Sequence, residues 1–90
     1  RNYTAVNNDQ LIIDTSAAAR QVTLPASPSV GNEVTFIDAK ASFGSNNLTI
    51  ARNGSNILSS ASNLVVSVNG TAFTLVFLNS TRGWAYKDKI

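Results

Sequence analysis

The 90-residue chain contains no cysteine and no histidine, and it carries little charge of either sign. Without cysteine it can form neither a disulfide bond nor a thiolate metal site, and without histidine it lacks the commonest general base and metal ligand. Charged side chains make up only 13% of the residues and the net charge is +2. This sparse charge excludes a densely basic surface for nucleic acid. We therefore expect no cofactor, no metal ion and no nucleic-acid partner.

Long hydrophobic runs and methionine are also missing. No apolar run approaches the roughly 20 residues that a membrane-spanning helix needs, so we expect no membrane segment. The absence of methionine indicates a mature fragment or a segment of a longer protein. The abundant residues are neutral and polar, with eleven Asn, eleven Ser and eight Thr beside a hydrophobic content of 43%. This hydrophobic content is too high for a disordered tail, and the polar residues are typical of an extracellular or virion-exposed surface.

Apolar and polar residues alternate along most of the chain, and no helical periodicity is present. The alternating runs occupy residues 22–24, 34–36, 48–50, 64–68, 73–77 and 84–86. Segments rich in Gly, Asn and Pro separate them at intervals of about eight to twelve residues. The pattern predicts a single all-β domain over residues 1–90. We expect a small antiparallel β-sandwich, roll or barrel of about seven to nine short strands.

The Asn69-Gly70 pair stands between two of these alternating runs. A type I′ turn requires positive φ at both central residues, which Asn and Gly tolerate best. The pair therefore predicts a two-residue β-hairpin between the flanking strands.

Two of the runs carry apolar residues on both of their faces. Val65 lies opposite the inward set of its run, and Val76 and Leu78 lie opposite the Phe and Leu residues of theirs. A second layer of the same chain, with a few stray exposed apolar residues, would explain this. The alternative is a subunit interface, since contiguous exposed apolar patches usually mark one. We predict that Val65, Val76 and Leu78 contact neighbouring copies in a homo-oligomer.

Little in the sequence supports catalysis. A glycosidase needs two facing carboxylates, and Asp14 and Asp38 each end a predicted strand. Both are explained more simply as turn formers, because Asp accepts hydrogen bonds from nearby backbone. The serines occur in no Gly-x-Ser-x-Gly elbow and have no histidine to act as base. We therefore predict that the protein is not an enzyme and has no catalytic, cofactor-binding or metal-binding residues.

Trp84 and Tyr86 share one face of the last run. Aromatic rings in such positions either close a hydrophobic core or stack on a ligand such as a sugar ring. The first interpretation makes them core residues of the last strand, and the second makes them a glycan contact.

Several short segments follow one another in a recognisable order and spacing between Tyr3-Thr4-Ala5-Val6 and Gly83-Trp84. The segments between these two are Asp14-Thr15-Ser16, Val22-Thr23-Leu24-Pro25, Gly31 with Val34, Asp38, Asn47-Leu48-Thr49-Ile50, Asn53-Gly54 and Phe73-Thr74-Leu75-Val76. Together they resemble an all-β module that recurs in phage tail fibres, tailspikes and other virion surface proteins. The chain departs from that pattern at residues 57–60, where a glycine-containing segment is usual.

The resemblance implies a non-enzymatic structural domain that is commonly trimeric and built into a larger virion part. We therefore expect a homotrimer at the virion surface, with other virion proteins as partners. It would be a fibre or spike segment or a capsid decoration protein. The alternative is a host-attachment module that binds surface glycans through Trp84 and Tyr86.

Overall fold

The computed structural model describes residues 2–88, which form β-strands and loops without a helix. Eight strands are present: β1 Asn2–Thr4, β2 Asp9–Ile13, β3 Arg20–Thr23, β4 Glu33–Asp38, β5 Leu48–Ala51, β6 Leu64–Val66, β7 Ala72–Asn79 and β8 Gly83–Tyr86. They form two four-stranded sheets. Sheet 1 has the order β1-β3-β5-β6 and sheet 2 the order β2-β4-β7-β8. The all-β prediction is confirmed.

The first five strands alternate between the two sheets. As a result β1, β3 and β5 are parallel neighbours in sheet 1, and β2 and β4 are parallel neighbours in sheet 2. The last three strands pair in the antiparallel sense, β6 with β5, β7 with β4 and β8 with β7. Both sheets are therefore mixed, and the expectation of purely antiparallel pairing is wrong. Alternation along a strand identifies its buried face but not its neighbours, and each parallel pair here is connected through a strand of the other sheet.

The Asn69-Gly70 turn does not form a hairpin, contrary to the prediction. The strand before it, β6, belongs to sheet 1, whereas the strand after it, β7, belongs to sheet 2. Only Gly70 of the pair has positive φ, at 73°, so the turn is not of type I′. It carries the chain from one sheet to the other.

The core lies between the two sheets and follows the period of two that strands impose on their side chains. In β4, Val34 and Phe36 are fully buried while the intervening residues are partly exposed. The Phe36 ring stacks on the Phe73 ring with centroids 5.3 Å apart. Other buried residues come from both sheets: Val22, Leu24, Leu48, Ile50, Leu75, Phe77 and Trp84. The inner faces of the two sheets thus form one shared core.

Residues 56–59 cover part of the outer edge of β8. The Trp84 amide donates to the Asn56 carbonyl at 2.8 Å, and the Leu58 amide donates to the Trp84 carbonyl at 2.7 Å. The Ser59 amide also donates to the Arg82 carbonyl. Leu58 and Ser59 both have positive φ, the pattern of a type I′ turn. Because an open strand edge invites pairing with other chains, this cover removes part of one such edge.

Candidate functional site

The face of sheet 2 that points away from the core carries many apolar side chains. Ile12 is 68% exposed, and Ile37, Val76 and Leu78 are partly exposed. The strand register places Ile12 beside Ile37, and it places Ile37 beside Ala72. Val76 is likewise beside Ala85 of β8. We call this surface the outer apolar face, and its members are Ile12, Ile37, Ala72, Val76, Leu78 and Ala85.

Four polar side chains on the outer apolar face are paired with one another, whereas Gln10, beside Thr35, is exposed to solvent. The hydroxyls of Thr35 and Thr74 are hydrogen-bonded across β4 and β7 at 2.8 Å. Lys87 Nζ lies 2.9 Å from Glu33 Oε2, and this ion pair reaches across β7. The hydrogen bond and the negative charge of Glu33 raise the pKa of Lys87. Each of these four side chains thus has a partner within the face, which lowers the cost of burying it.

The corresponding face of sheet 1 is rich in amides and hydroxyls. One row across its four strands consists of Asn2, Gln21, Thr49 and Val65. Val65, which is 55% exposed, ends this row on the edge strand β6. A lone exposed valine on a polar surface is ordinary and by itself marks no interface.

The three residues predicted to form a subunit interface therefore do not share a surface. Val76 and Leu78 are two residues apart on β7 and both belong to the outer apolar face. Val65 lies on the opposite side of the sandwich. Apolar residues on both faces of a strand were the signal for all three, and that signal does not say which sheet each strand joins.

A lateral cleft of about 400 Å³ opens beside β6 and the C-terminal part of β8. Its lining includes Val68 and Thr71 from the connection between the sheets, together with Phe73, Tyr86 and Asp88. The rings of Phe73 and Tyr86 meet edge to face with centroids 5.6 Å apart. Apolar rings beside a few hydroxyl and carboxylate groups are typical of small-ligand sites.

Trp84 does not contact this cleft. It is fully buried, and its ring packs edge-on against Phe77 with centroids 5.6 Å apart. Of the two interpretations of Trp84, its burial fits the core residue and not the glycan contact, because no face of the ring is open to a ligand. Ile57, which is also buried, forms a bridge with Trp84 from the segment that covers β8. Tyr86 is only partly buried and lines the lateral cleft, so it alone of the two aromatic residues can contact a ligand.

The two carboxylates considered for catalysis hold loops in place. Asp38 is 8% exposed and accepts hydrogen bonds from the backbone amides of Ser42, Phe43 and Gly70. Burial alone would raise the pKa of Asp38, but these amides and that of Lys40 outweigh it and hold the pKa below its usual value. The ionised carboxylate thus accepts hydrogen bonds from both the loop after β4 and the turn between the sheets, and it holds the two together.

Asp14 is exposed and accepts hydrogen bonds from the amide and the hydroxyl of Ser16. These bonds are the main cause of the lowered pKa of Asp14. Both aspartates act as the turn formers that the sequence suggested.

No model of a known protein family matches this chain, and no curated protein matches it in sequence. Within residues 2–88 no helix is long and apolar enough to cross a membrane. The same part of the chain holds no group of three or more His, Cys, Asp or Glu side chains that could bind a metal ion. The observations that bear on function are therefore the outer apolar face and the lateral cleft.

Proposed function

We propose that this protein is a non-enzymatic structural component of a phage virion, either a tail-fibre or tailspike segment or a capsid decoration protein. It acts by packing against two further copies of itself in a homotrimer and against other virion proteins at the particle surface. The assignment to a virion rests on the sequence resemblance. The assignment to a packing role rests on one structural observation, the outer apolar face of sheet 2.

The outer apolar face has more aliphatic surface than the fold of a single chain requires. The inner faces of the two sheets already supply a core, and the outer face of sheet 1 shows that the outward positions tolerate amides and hydroxyls. Burying an exposed aliphatic side chain stabilises a contact by about 1.5–3 kcal/mol. Burial of Ile12 and of the exposed parts of Ile37, Val76 and Leu78 would thus favour association with a partner.

The charge on this face favours a second copy of the same chain as that partner. Its charged side chains, Glu33 and Lys87, are of opposite sign and form an ion pair within the face. Two copies that meet through this surface therefore do not repel each other, since each contributes no net charge. A closed ring of identical subunits is the usual way in which such contacts are completed.

The experiment is a measurement of solution mass by light scattering on the wild-type protein and two matched variants. The wild type should give about three times the 9.5 kDa chain mass. Val76→Asp places a charge at the centre of the outer apolar face and should reduce the mass to that of one chain. Val65→Asp makes the same chemical change on the outer face of sheet 1 and should leave the trimer intact.

Circular dichroism must show that both variants remain folded. A wild-type monomer over a hundredfold range of concentration would contradict the proposal, as would an unchanged mass for a folded Val76→Asp variant.

A second candidate function is supported by the lateral cleft, namely a host-attachment module that binds surface glycans. The Tyr86 ring, the Thr71 hydroxyl and the Asp88 carboxylate provide the aromatic and oxygen contacts that a sugar uses. Titration with a panel of glycans should then shift the NMR signals of residues 71 and 86, and Asp88→Ala should weaken binding. Resonances that stay fixed at millimolar sugar would contradict this second function.

A further inference from the structure

The Asn69-Gly70 turn is held by hydrogen bonds to the same atoms that react in an Asn-Gly pair. The Gly70 amide donates to Asp38 Oδ2 at 3.0 Å. The side-chain oxygen of Asn69 accepts from the Gly44 amide at 2.7 Å. The two contacts come from different loops, since Asp38 ends β4 and Gly44 lies between β4 and β5.

An Asn-Gly pair can react with itself without any cofactor. The backbone nitrogen of the glycine forms a bond to the side-chain carbonyl carbon of the asparagine, and the glycine side of the peptide offers no Cβ to hinder this approach. The nitrogen loses its proton, the bond between Cγ and Nδ2 breaks, and Nδ2 takes up a proton and leaves as ammonia. Water then opens the resulting five-membered succinimide to aspartate or isoaspartate. No oxidation or reduction takes place.

Each of the two hydrogen bonds assists one part of this reaction. The Asp38 carboxylate lies within hydrogen-bond reach of the nitrogen that must lose its proton, which is the position of a general base. The Gly44 amide points at the oxygen on which negative charge develops when the nitrogen attacks, as a donor in an oxyanion hole does. Amides around Asp38 hold its pKa below the usual value despite burial, so the base is ionised at neutral pH.

We propose that Asn69-Gly70 is a self-modification site, at which Asp38 and the Gly44 amide promote succinimide formation and deamidation of Asn69. Gly44 is fitted to this role, because a Cβ at this position would lie only 2.8 Å from the Asn69 side-chain oxygen. Any other residue would push the donor and the oxygen apart.

The second Asn-Gly pair of the chain provides an internal reference. Asn53 also precedes a glycine, but its side-chain amide donates to the Leu24 carbonyl at 2.9 Å. Among the hydrogen bonds of residues 2–88, no carboxylate accepts from the Gly54 amide. The two sites therefore have the same dipeptide and differ in the groups around it.

The product would alter the connection between the sheets. Conversion of Asn69 to aspartate or isoaspartate adds a carboxylate to a turn whose next residue is bonded to Asp38. Like charges repel each other, so the new carboxylate would weaken the hold of Asp38 on the turn, and the isoaspartate product also lengthens the backbone. The modification should therefore loosen the turn as the protein ages.

The test is incubation of the folded protein at neutral pH, with peptide mapping by mass spectrometry to follow deamidation at residues 69 and 53. We expect residue 69 to react at least about tenfold faster than residue 53, a modest part of what a placed base contributes. In urea the two rates should become similar, because unfolding removes Asp38 and Gly44 from the turn. The Asp38→Asn variant, if folded, should slow residue 69 and leave residue 53 unchanged.

Equal rates at the two sites in the folded protein would overturn the proposal. So would a faster reaction at residue 69 in urea than in the fold. The comparison of folded and urea-unfolded wild type requires no variant. It therefore tests whether the fold accelerates deamidation at residue 69 even if Asp38→Asn fails to fold.

Discussion

The two outer faces of the sandwich are built on the same alternation and nevertheless differ in composition. A row across sheet 1 reads Asn2, Gln21, Thr49 and then Val65 at the edge. A row across three strands of sheet 2 reads Ile12, Ile37 and Ala72. Both faces point away from the core, so folding of the single chain does not account for the difference.

The comparison identifies which of the two outward surfaces is better suited to contact a partner. Outward positions of a strand accept polar residues when they face water, as those of sheet 1 do. Where they are instead aliphatic and their polar neighbours are already paired, as with Thr35 and Thr74, the surface is suited to burial. We therefore regard sheet 1 as the solvent-facing layer and sheet 2 as the packing layer of the proposed assembly.

The largest expected effect is at the edge of sheet 2, where residues 56–59 cover β8, and it spares sheet 1. Gly83 has φ of +67°, and a Cβ there would overlap the backbone carbonyl of Asn56. Gly83→Ala should therefore separate residues 56–59 from β8 and cost about 3 kcal/mol or more of unfolding free energy. Gly54→Ala is the matched control, since Gly54 has φ of +92° with no atom within 4 Å.

The control variant has the strain of positive φ without a steric clash, so its free energy of unfolding should fall by only about 1 kcal/mol. Urea unfolding monitored by circular dichroism measures both values. Similar losses in the two variants would show that the contact between Asn56 and β8 contributes little.

The second largest expected effect is a loss of association when the outer apolar face is made polar. The double variant Ile12→Thr and Ile37→Thr gives sheet 2 a surface like that of sheet 1. It should weaken the assembly by roughly 2 kcal/mol per subunit, because aliphatic burial is lost, and it should change the stability of the isolated subunit much less. Sedimentation equilibrium gives the association constant. Thr49→Ile on sheet 1 serves as the control and should leave association unchanged.

A third prediction concerns Asp38, which joins the loop after β4 to the turn between the sheets, and it does not depend on either outer face. The pKa of Asp38 is lowered in the fold from its ordinary value of 3.8. Its contribution to stability is therefore complete above about pH 4 and is lost as the pH falls through the lowered pKa. Asp38→Asn should reduce stability at neutral pH and flatten the decline of stability below about pH 4. Thermal unfolding across this range measures the effect, and an unchanged acid slope in the variant would contradict it.

The smallest expected effect is a gain of stability at the cover of β8. Leu58 and Ser59 have φ of 52° and 66°, a conformation that Asn and Gly adopt with less strain. The double replacement Leu58→Asn and Ser59→Gly should raise the free energy of unfolding by about 1 kcal/mol. Urea unfolding is again the measurement. A loss of stability would mean that the Leu58 side chain, which is 40% exposed, contributes more by packing than its backbone strain costs.

The sequence was sufficient to predict which strand residues face the core. Val34 and Phe36 alternate with polar residues and are buried as expected, because the period of two belongs to each strand by itself. The pairing of strands could not be predicted in this way, since it depends on contacts between distant segments. For the same reason Asn69-Gly70 indicated a hairpin although it connects two sheets.

In the candidate sites too, features that depend on local pattern could be predicted and features that depend on distant contacts could not. Local pattern alone identified Val76 and Leu78 as apolar residues on the second face of their strand, and Val65 was grouped with them because the pattern does not identify the sheet. The burial of Trp84 depends on the segment around Ile57, which the chain brings back from a distance. A turn with positive φ at Leu58 and Ser59 has no local signal, so this cover could not be foreseen.

The alternation of the first five strands between the two sheets also has a consequence for how the protein forms. A hairpin can assemble from adjacent residues within microseconds, but β1, β3 and β5 are separated from one another in the chain by strands of the other sheet. The hairpin of β7 and β8 can form locally, but the other strand pairs of residues 2–88 require longer loops to close, so folding should be slow for a domain of this size. A stretch of chain emerging from the ribosome would remain unstructured until nearly all of the domain had been synthesised.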